Sequence, residues 1–389
     1  MANQPTAVMQ GIEVPTSSID PTTFFKLTRR LSIPFKTGSY AGLGQTDTTQ
    51  LLQTGIVSGV TVKATGSLVV TPGTGTVATT SRWPYGTAKN FKFSANGQSN
   101  LINAGGTHMK VRELMQRGDL SDRGVAQAIG GASPGTTRTQ GTLSLNSESW
   151  GVGQNVSAIP AGTYPVELEW YLPIAYDDLN LLGAIFAQTS ATDLVITVDW
   201  ANQSDLFVLT GNATVALNLS TIYEARLYSI PQGPNGNVIV PDLSAFHSII
   251  ATRYGTPTAG MNEIRLSGQG VGKQLLRLWW QGWNNGSPMP LNSSNYAQIG
   301  WRYGGNDTPE TMPDGKVMAY MVEKLYNSDL GSYAGIGCFD FCTENAFRDS
   351  VDEGTATELR LLLEIPNSLS LTSPYVEYVA ETVSAGASA

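Results

Sequence analysis

The sequence predicts an all-β protein made of two tandem eight-stranded jelly rolls with short inserted helices. Three observations point there. Charged residues make up only 14% of the chain, against roughly 25% in ordinary soluble proteins, and Gly, Ser, Thr, Asn and Gln fill the polar quota. Short alternating or β-branched runs follow one another with turn residues between them. One strong breaker cluster, PQGPNGN at 231–237, divides these runs in the interior. A chain of 389 residues is also too long for one ordinary core. The expected division is therefore an N-terminal arm at 1–27, a first jelly roll at 28–230, a linker at 231–237 and a second jelly roll at 238–389.

The arm holds Pro5, Pro15 and Pro21 among small polar residues, with a short helical turn expected after Asp20-Pro21. Phe24, Phe25, Lys26, Leu27, Arg29 and Arg30 follow. Two readings stand for this cluster. Packing beneath its own domain is the simpler one. Contact with an anionic lipid surface is the sharper one, because aromatics beside cations suit a membrane interface.

Strands are expected at Leu31–Phe35, Val57–Lys63, Ser67–Thr71, Asn90–Ser94, Thr142–Asn146, Pro165–Ile174, Asp193–Trp200, Thr214–Asn218 and Ile222–Ile230. Turns at Pro72-Gly73, Asn96-Gly97, Ala161-Gly162 and Gly211-Asn212 separate them. Two helices interrupt: Met109–Arg117, capped by Thr107, and a short one begun by Asp177 and Asp178 and running through Leu181, Leu182 and Ile185. In the second half strands are expected at Phe246–Thr252, Asn262–Ser267, Gln274–Trp283, Gln298–Tyr303, Gly335–Phe341, Glu358–Ile365 and Tyr375–Val383. A helix after Asp314 places Val317, Met318, Met321, Val322 and Leu325 on one face. Residues 165–230 and 298–365 share an order of strand, acidic-started helix and closing strands, which reads as a duplicated architecture.

Charge narrows the function classes. With a net charge of −8 and a pI of about 4.9, the chain repels phosphate, so no direct contact with nucleic acid is expected. The N-terminus has neither the basic start nor the apolar core of a signal peptide. The run Leu181 to Ala187 falls far short of the ~20 residues that span a bilayer, so a soluble protein is expected. Cys338 and Cys342 in one strand would stand ~13 Å apart, beyond disulfide reach, and read as buried free thiols suited to a reducing cytoplasm.

Catalytic patterns fail one by one. His108 and His247 lie in no ligand spacing, and no GxSxG elbow is present. SGQGVGKQ at 267–274 lacks the first Gly and the Ser or Thr of a phosphate loop, and a strand follows it. Glu167 with Glu169 is explained by strand alternation, and Asp177 with Asp178 by helix capping. Trp279, Trp280 and Trp283, with Trp301 and Tyr303, could stack on sugars, although core or interface packing is the commoner use of such rings. No catalytic residue, metal or cofactor is expected.

The run Pro165–Asn202 resembles the double jelly-roll major capsid proteins of tectiviruses, of the adenovirus-hexon-like lineage. Tyr171, Pro173, Ala175, Tyr176, Asp178, Leu179, Gly183 and Ala184 carry the likeness. Ile230–Leu243 resembles the family's crossing between its two rolls, through Pro231, Gly233, Asn235, Gly236 and Asp242. Asn90–Gly118 matches in layout: strand, turn, strand, helix. The resemblance implies a non-enzymatic capsid protein, made in the host cytoplasm and resident in the virion. It implies homotrimers of pseudo-hexagonal outline that meet neighbouring capsomers, penton and minor capsid proteins. An internal viral membrane would face the arm residues Phe24, Phe25, Lys26, Arg29 and Arg30, and the host would be a bacterium. The alternative is a carbohydrate-binding β-sandwich protein, such as a viral receptor-binding or lectin-like module.

Overall fold

Alternation of apolar and polar side chains fixes each long strand, because successive residues point to opposite faces. The computed structural model describes residues 7–9, 12–14, 21–95, 98–117, 158–177, 180–188, 193–232, 240–266, 272–304, 307–326, 330–343, 349–353 and 358–385. Eight long strands in the first half are β1 (Arg30–Ser39), β2 (Thr46–Gln50), β3 (Ile56–Thr71), β4 (Ala88–Ala95), β5 (Gln98–Ala104), β6 (Gly162–Pro173), β7 (Leu194–Trp200) and β8 (Thr214–Tyr228). Eight more in the second half are β9 (Ala245–Tyr254), β10 (Gly260–Arg265), β11 (Lys273–Asn284), β12 (Gln298–Tyr303), β13 (Asp307–Met312), β14 (Ile336–Asp340), β15 (Leu359–Ile365) and β16 (Tyr375–Ala385). Helix α1 (Gly106–Arg117) follows β5, and α2 (Gly315–Tyr326) follows β13.

The pairing in the two halves is the same, strand for strand. In the first, one sheet runs β1-β8-β3-β6 and the other β2-β7-β4-β5. In the second, the orders are β9-β16-β11-β14 and β10-β15-β12-β13. Within each half every one of these pairs is antiparallel. Even a two-residue extra strand repeats: Ile185–Phe186 adds to the start of β3, and Val351–Asp352 adds to the start of β11. Two jelly rolls in tandem are thus the observed architecture, as the sequence predicts.

Each roll buries the facing sides of its two sheets. In the first, Val60, Val62, Ala64 and Leu68 of β3 meet Phe91 and Phe93 of β4, with Trp170 of β6 fully buried among them. Trp170 lies edge-on to Phe91 and Trp200, at ring separations of 5.6 and 6.3 Å. The buried apolar side chains of both rolls form one connected cluster.

Several expectations need correction. The pairs of runs at 57–63 with 67–71, and at 214–218 with 222–230, are each one continuous strand, β3 and β8. Gly66 does not break β3. A Cβ there would lie 1.9 Å from the Asn218 carbonyl oxygen, so glycine is what lets β8 approach. No helix follows Asp177 among the described residues. Its carboxylate instead accepts the Asn180 amide at 2.7 Å, and Leu181 (φ 53°) and Gly183 (φ 84°) adopt left-handed backbone that ends any helical run. The repeat therefore does not match 165–230 with 298–365. It matches hairpin plus helix at 88–117 with hairpin plus helix at 298–326.

Thr107 is not the cap of α1. The helix starts at Gly106, where a Cβ would lie 2.4 Å from the Tyr85 carbonyl, and His108 Nδ1 accepts the Gly105 amide. Asp314 does cap α2, accepting the Val317 amide at 3.1 Å. The buried face of α2, however, is Met318, Ala319, Val322 and Tyr326, while Val317 and Leu325 are exposed. The expected strand Thr142–Asn146, Asp178 and Leu179, the turn Asn96-Gly97 and linker residues 233–237 lie outside the described residues.

Gly66→Ala should cost about 1–3 kcal/mol, the range for forcing extra atoms into a packed core. Urea denaturation of the wild-type and substituted chains measures it, and an unchanged midpoint would contradict this account of β3.

Candidate functional site

Residues of both rolls converge where the second strand of the 88–104 hairpin meets the first strand of the second roll. β5 pairs in parallel with β9, Ile102 opposite Ile249 and Asn103 opposite Ile250. That contact fuses one sheet of the first roll to one sheet of the second as a ten-stranded sheet. Helix α1 of the first roll then reaches the outward face of the β9-β16-β11-β14 sheet.

Glu381 of β16 is the centre of this contact and is fully buried. Arg112 of α1 donates through Nε to its Oε1 at 2.7 Å and through a second guanidinium nitrogen to the same oxygen. Arg277, directly opposite on β11, donates to Oε2 at 2.9 Å. His247 of β9 places Nε2 2.9 Å from Oε1, and its Nδ1 lies 3.2 Å from the Pro173 carbonyl. Arg277 also donates to Asp340 at 3.1 Å, and that carboxylate accepts the Tyr326 hydroxyl at 2.6 Å. Burial alone would raise the Glu381 pKa, but Arg112, Arg277 and His247 overcome it and hold the group well below the usual carboxylate range. Burial lowers His247 below its ordinary value despite the pull of Glu381.

A second set lies one helical turn back. Arg82 donates to Glu377 at 2.7 Å and to the Tyr375 hydroxyl at 3.1 Å. Its guanidinium sits 4.7 Å from the Trp283 ring, which stacks on Tyr375 at 10°. Arg253 covers the Tyr375 ring at 3.7 Å. His108 Nε2 approaches Glu377 at 3.7 Å, and burial lowers the His108 pKa as well. Arg82 and His108 belong to the first roll, whereas Glu377, Tyr375, Trp283 and Arg253 belong to the second. The arrangement fixes one roll against the other, since each buried cation leaves a buried anion unpaired if the rolls separate.

No sequence reading singled out Arg112, Arg277 or Glu381. The signal was present: Glu377 and Glu381 sit at even spacing inside an apolar strand, and Arg277 interrupts LLRLWW. A charge in such a run calls for a buried partner.

The arm candidates divide. Phe24 is fully buried with Ile56, Ala175, Leu181, Ala184 and Tyr228, and Phe25 packs partly against the same group. The Phe24 and Tyr228 rings stand 6.2 Å apart. Lys26, Arg29 and Arg30 are exposed, as are Leu27 and Leu31.

The other candidates are accounted for by packing. Trp279, Trp280 and Trp283 are buried, and Trp301 lies edge-on to Phe341 at 4.9 Å, so these rings offer no open platform for a sugar. Glu169 pairs with Lys63 at 3.7 Å. Cys338 and Cys342 are free and buried, and burial pushes the Cys338 thiol up to about 12. Most of SGQGVGKQ lies outside the described residues, and its Lys273 opens β11 rather than a helix. Among the described residues, no group of three or more His, Cys, Asp or Glu could hold a metal, and no helix is long and apolar enough to cross a membrane.

No protein-family model matches the chain, and no curated protein matches it. Solved structures do. The major capsid protein of Sulfolobus turreted icosahedral virus aligns over 92% of this chain and 97% of its own, with 13% identity and a TM-score of 0.61. Major capsid protein P2 of bacteriophage PM2 aligns over 92% and 99%, at 10% identity and a TM-score of 0.50. A chain of the PBCV-1 virus capsid aligns over 92% and 95%, at 12% identity and a TM-score of 0.52. At such identities the likeness is one of fold, and that fold is the double jelly roll.

Glu381→Gln should destabilise the chain by about 3–5 kcal/mol, because Arg112 stays buried without its counter-charge and Arg277 keeps only Asp340. Chemical denaturation at neutral pH measures the loss. Because burial depresses both histidines in the folded state, the unfolded chain takes up protons first as pH falls below about 6.5. Stability should therefore drop between pH 6.5 and 5.5, and the drop should shrink in a His108→Asn, His247→Asn chain. Phe24→Ala should cost about 3–5 kcal/mol. A chain as stable as wild type would mean that the arm is not anchored through Phe24.

Proposed function

We propose that this chain is the major capsid protein of an icosahedral virus and acts by assembly, without catalysis. The observation that carries the reading is the strand-for-strand repeat of two rolls, fastened together by a shared sheet and a buried ion cluster. Such a pair is a rigid block with two similar wedges. Three blocks related by a threefold axis give a near-sixfold tile, the shape a hexagonal shell lattice needs. The likeness in fold to several viral major capsid proteins supports the same reading.

The finer proposal is a homotrimeric capsomer of a tectivirus-like bacteriophage with an internal membrane. In it the chain divides into an arm at 1–27, rolls at 28–230 and 238–389, and a linker at 231–237. Phe24 and Phe25 fix the arm to the first roll, which leaves Lys26, Arg29 and Arg30 free to meet anionic lipid headgroups. The chain is made in the host cytoplasm and meets neighbouring capsomers, penton and minor capsid proteins in the virion. Its acidic charge argues against direct contact with the genome.

Native mass spectrometry of the purified chain should give three copies, and negative-stain images should show a six-lobed outline. A chain that stays monomeric at micromolar concentration would overturn the capsomer reading.

A further inference from the structure

The two rolls have the same topology but not the same surroundings. The outer face of the β9-β16-β11-β14 sheet is covered by α1. No described helix covers the matching face of the β1-β8-β3-β6 sheet, where Thr61, Lys63 and Thr65 of β3 alternate outward with buried Val60, Val62 and Ala64. Helix α2 also carries Val317, Tyr320 and Leu325 at 37%, 55% and 38% exposure. These are large apolar side chains on one helix, and among the described residues only Lys324, 5.5 Å over the Tyr320 ring, lies across them.

The internal repeat says what each surface corresponds to. Both helices have 12 residues and begin with glycine. Aligned from their first residues, His108, Arg112 and Gln116 of α1 correspond to Val317, Met321 and Leu325 of α2. The strands align through a shared irregularity: the register shifts between Arg226 and Leu227 where β8 pairs β3, and between Leu275 and Arg277 where β16 pairs β11. That places Arg226 at the position of Glu381, Ile222 at that of Glu377, and Gly59 at that of Arg277.

Both partners have changed character together. Inside the chain a charged helix face meets a charged sheet face, His108 and Arg112 on Glu377 and Glu381. In the second case the helix face is apolar. On the matching sheet, half-buried Ile222 points outward, and the Tyr171 ring lies across Gly59 with the Arg226 guanidinium 4.7 Å over it. Ile222 stands where Glu377 stands in the other roll and Arg226 where Glu381 stands, and between and beside them Lys63, Glu169 and Glu224 form ion pairs on the same face.

We propose that the Val317, Tyr320, Met321 and Leu325 face of α2 docks on Tyr171, Ile222 and Arg226 of a second copy of this chain. The contact repeats between copies the step that α1 makes within one. It rests on the capsomer reading and adds the surfaces to it. The joint is heterologous, helix of one copy on sheet of the next, so it closes only as a ring. The capsomer reading sets that ring at three copies.

Met321→Lys, facing Arg226, or Ile222→Lys, directly opposite Lys63, should each convert the purified trimer to monomer, raising its dissociation constant on the order of a hundredfold through an unpaired buried charge. Far-UV circular dichroism should be unchanged. Mixing the two variants should give one-to-one dimers, since each retains one good surface, and no ring. A separate arm uses Val317→Cys with Ile222→Cys in one chain and a bifunctional maleimide. Covalent trimers are expected from the double variant, with no cross-linking from either single variant or from wild type, whose cysteines are buried. Trimers that persist in both lysine variants, or a single-cysteine chain that cross-links to itself, would overturn this docking while leaving the capsomer reading intact. Wild-type chain that is not trimeric would instead remove the reading on which it rests.

Discussion

A carboxylate sealed from water governs how the two halves of this molecule sit. Glu381 is shared by Arg112 of the first roll and by Arg277 and His247 of the second. Removing such a charge from water costs several kcal/mol, which only a complete set of donors repays. Any tilt between the rolls would strip one donor away. The parallel pairing of Ile102 with Ile249 supplies the backbone part of the same constraint. Together they turn two sandwiches, which a flexible linker would leave free to swing, into one block.

Rigidity of that kind fits the way the polar groups of the described residues are used. The charged groups that are most buried bind one another, the thiols are sealed by burial, and the tryptophans fill the interior. A protein organised this way spends its polar groups on orientation. The second set, Arg82 with Glu377 and His108, repeats the device on the same strand four residues away. Two points of fixation on one strand also resist rotation, which a single point cannot.

The halves differ where the repeat would otherwise make them interchangeable. β11 reads as a nearly continuous apolar run and is buried on both faces, whereas β3 alternates and is covered on one. Corresponding positions differ in character, Ile222 answering to Glu377 and Arg226 to Glu381. That difference keeps α1 from competing with α2 for the same sheet, since Arg112 over Arg226 would set two cations against each other.

Much of the fold was legible in the sequence, because the period-2 pattern of each strand reports burial of its inner face locally. The run of strands, the tandem rolls, the Asp314 cap and the free buried thiols were all available from residue order alone. Other features were decided only in three dimensions. Asp177 and its neighbours carry the signals of a helix start, yet the Asp177 side chain takes the Asn180 amide and the segment turns back toward β3. Gly66 looks like a break and is instead the point of closest approach to β8. Val317, Met318, Met321 and Val322 share an apolar stripe, but only packing decides which of them are covered. The same holds for Glu381: a sequence can show that a charge lies in an apolar strand, while its partners come from α1, β9 and β11, far away along the chain. Local alternation records one face of a strand, and what covers the other face is a property of distant segments brought together.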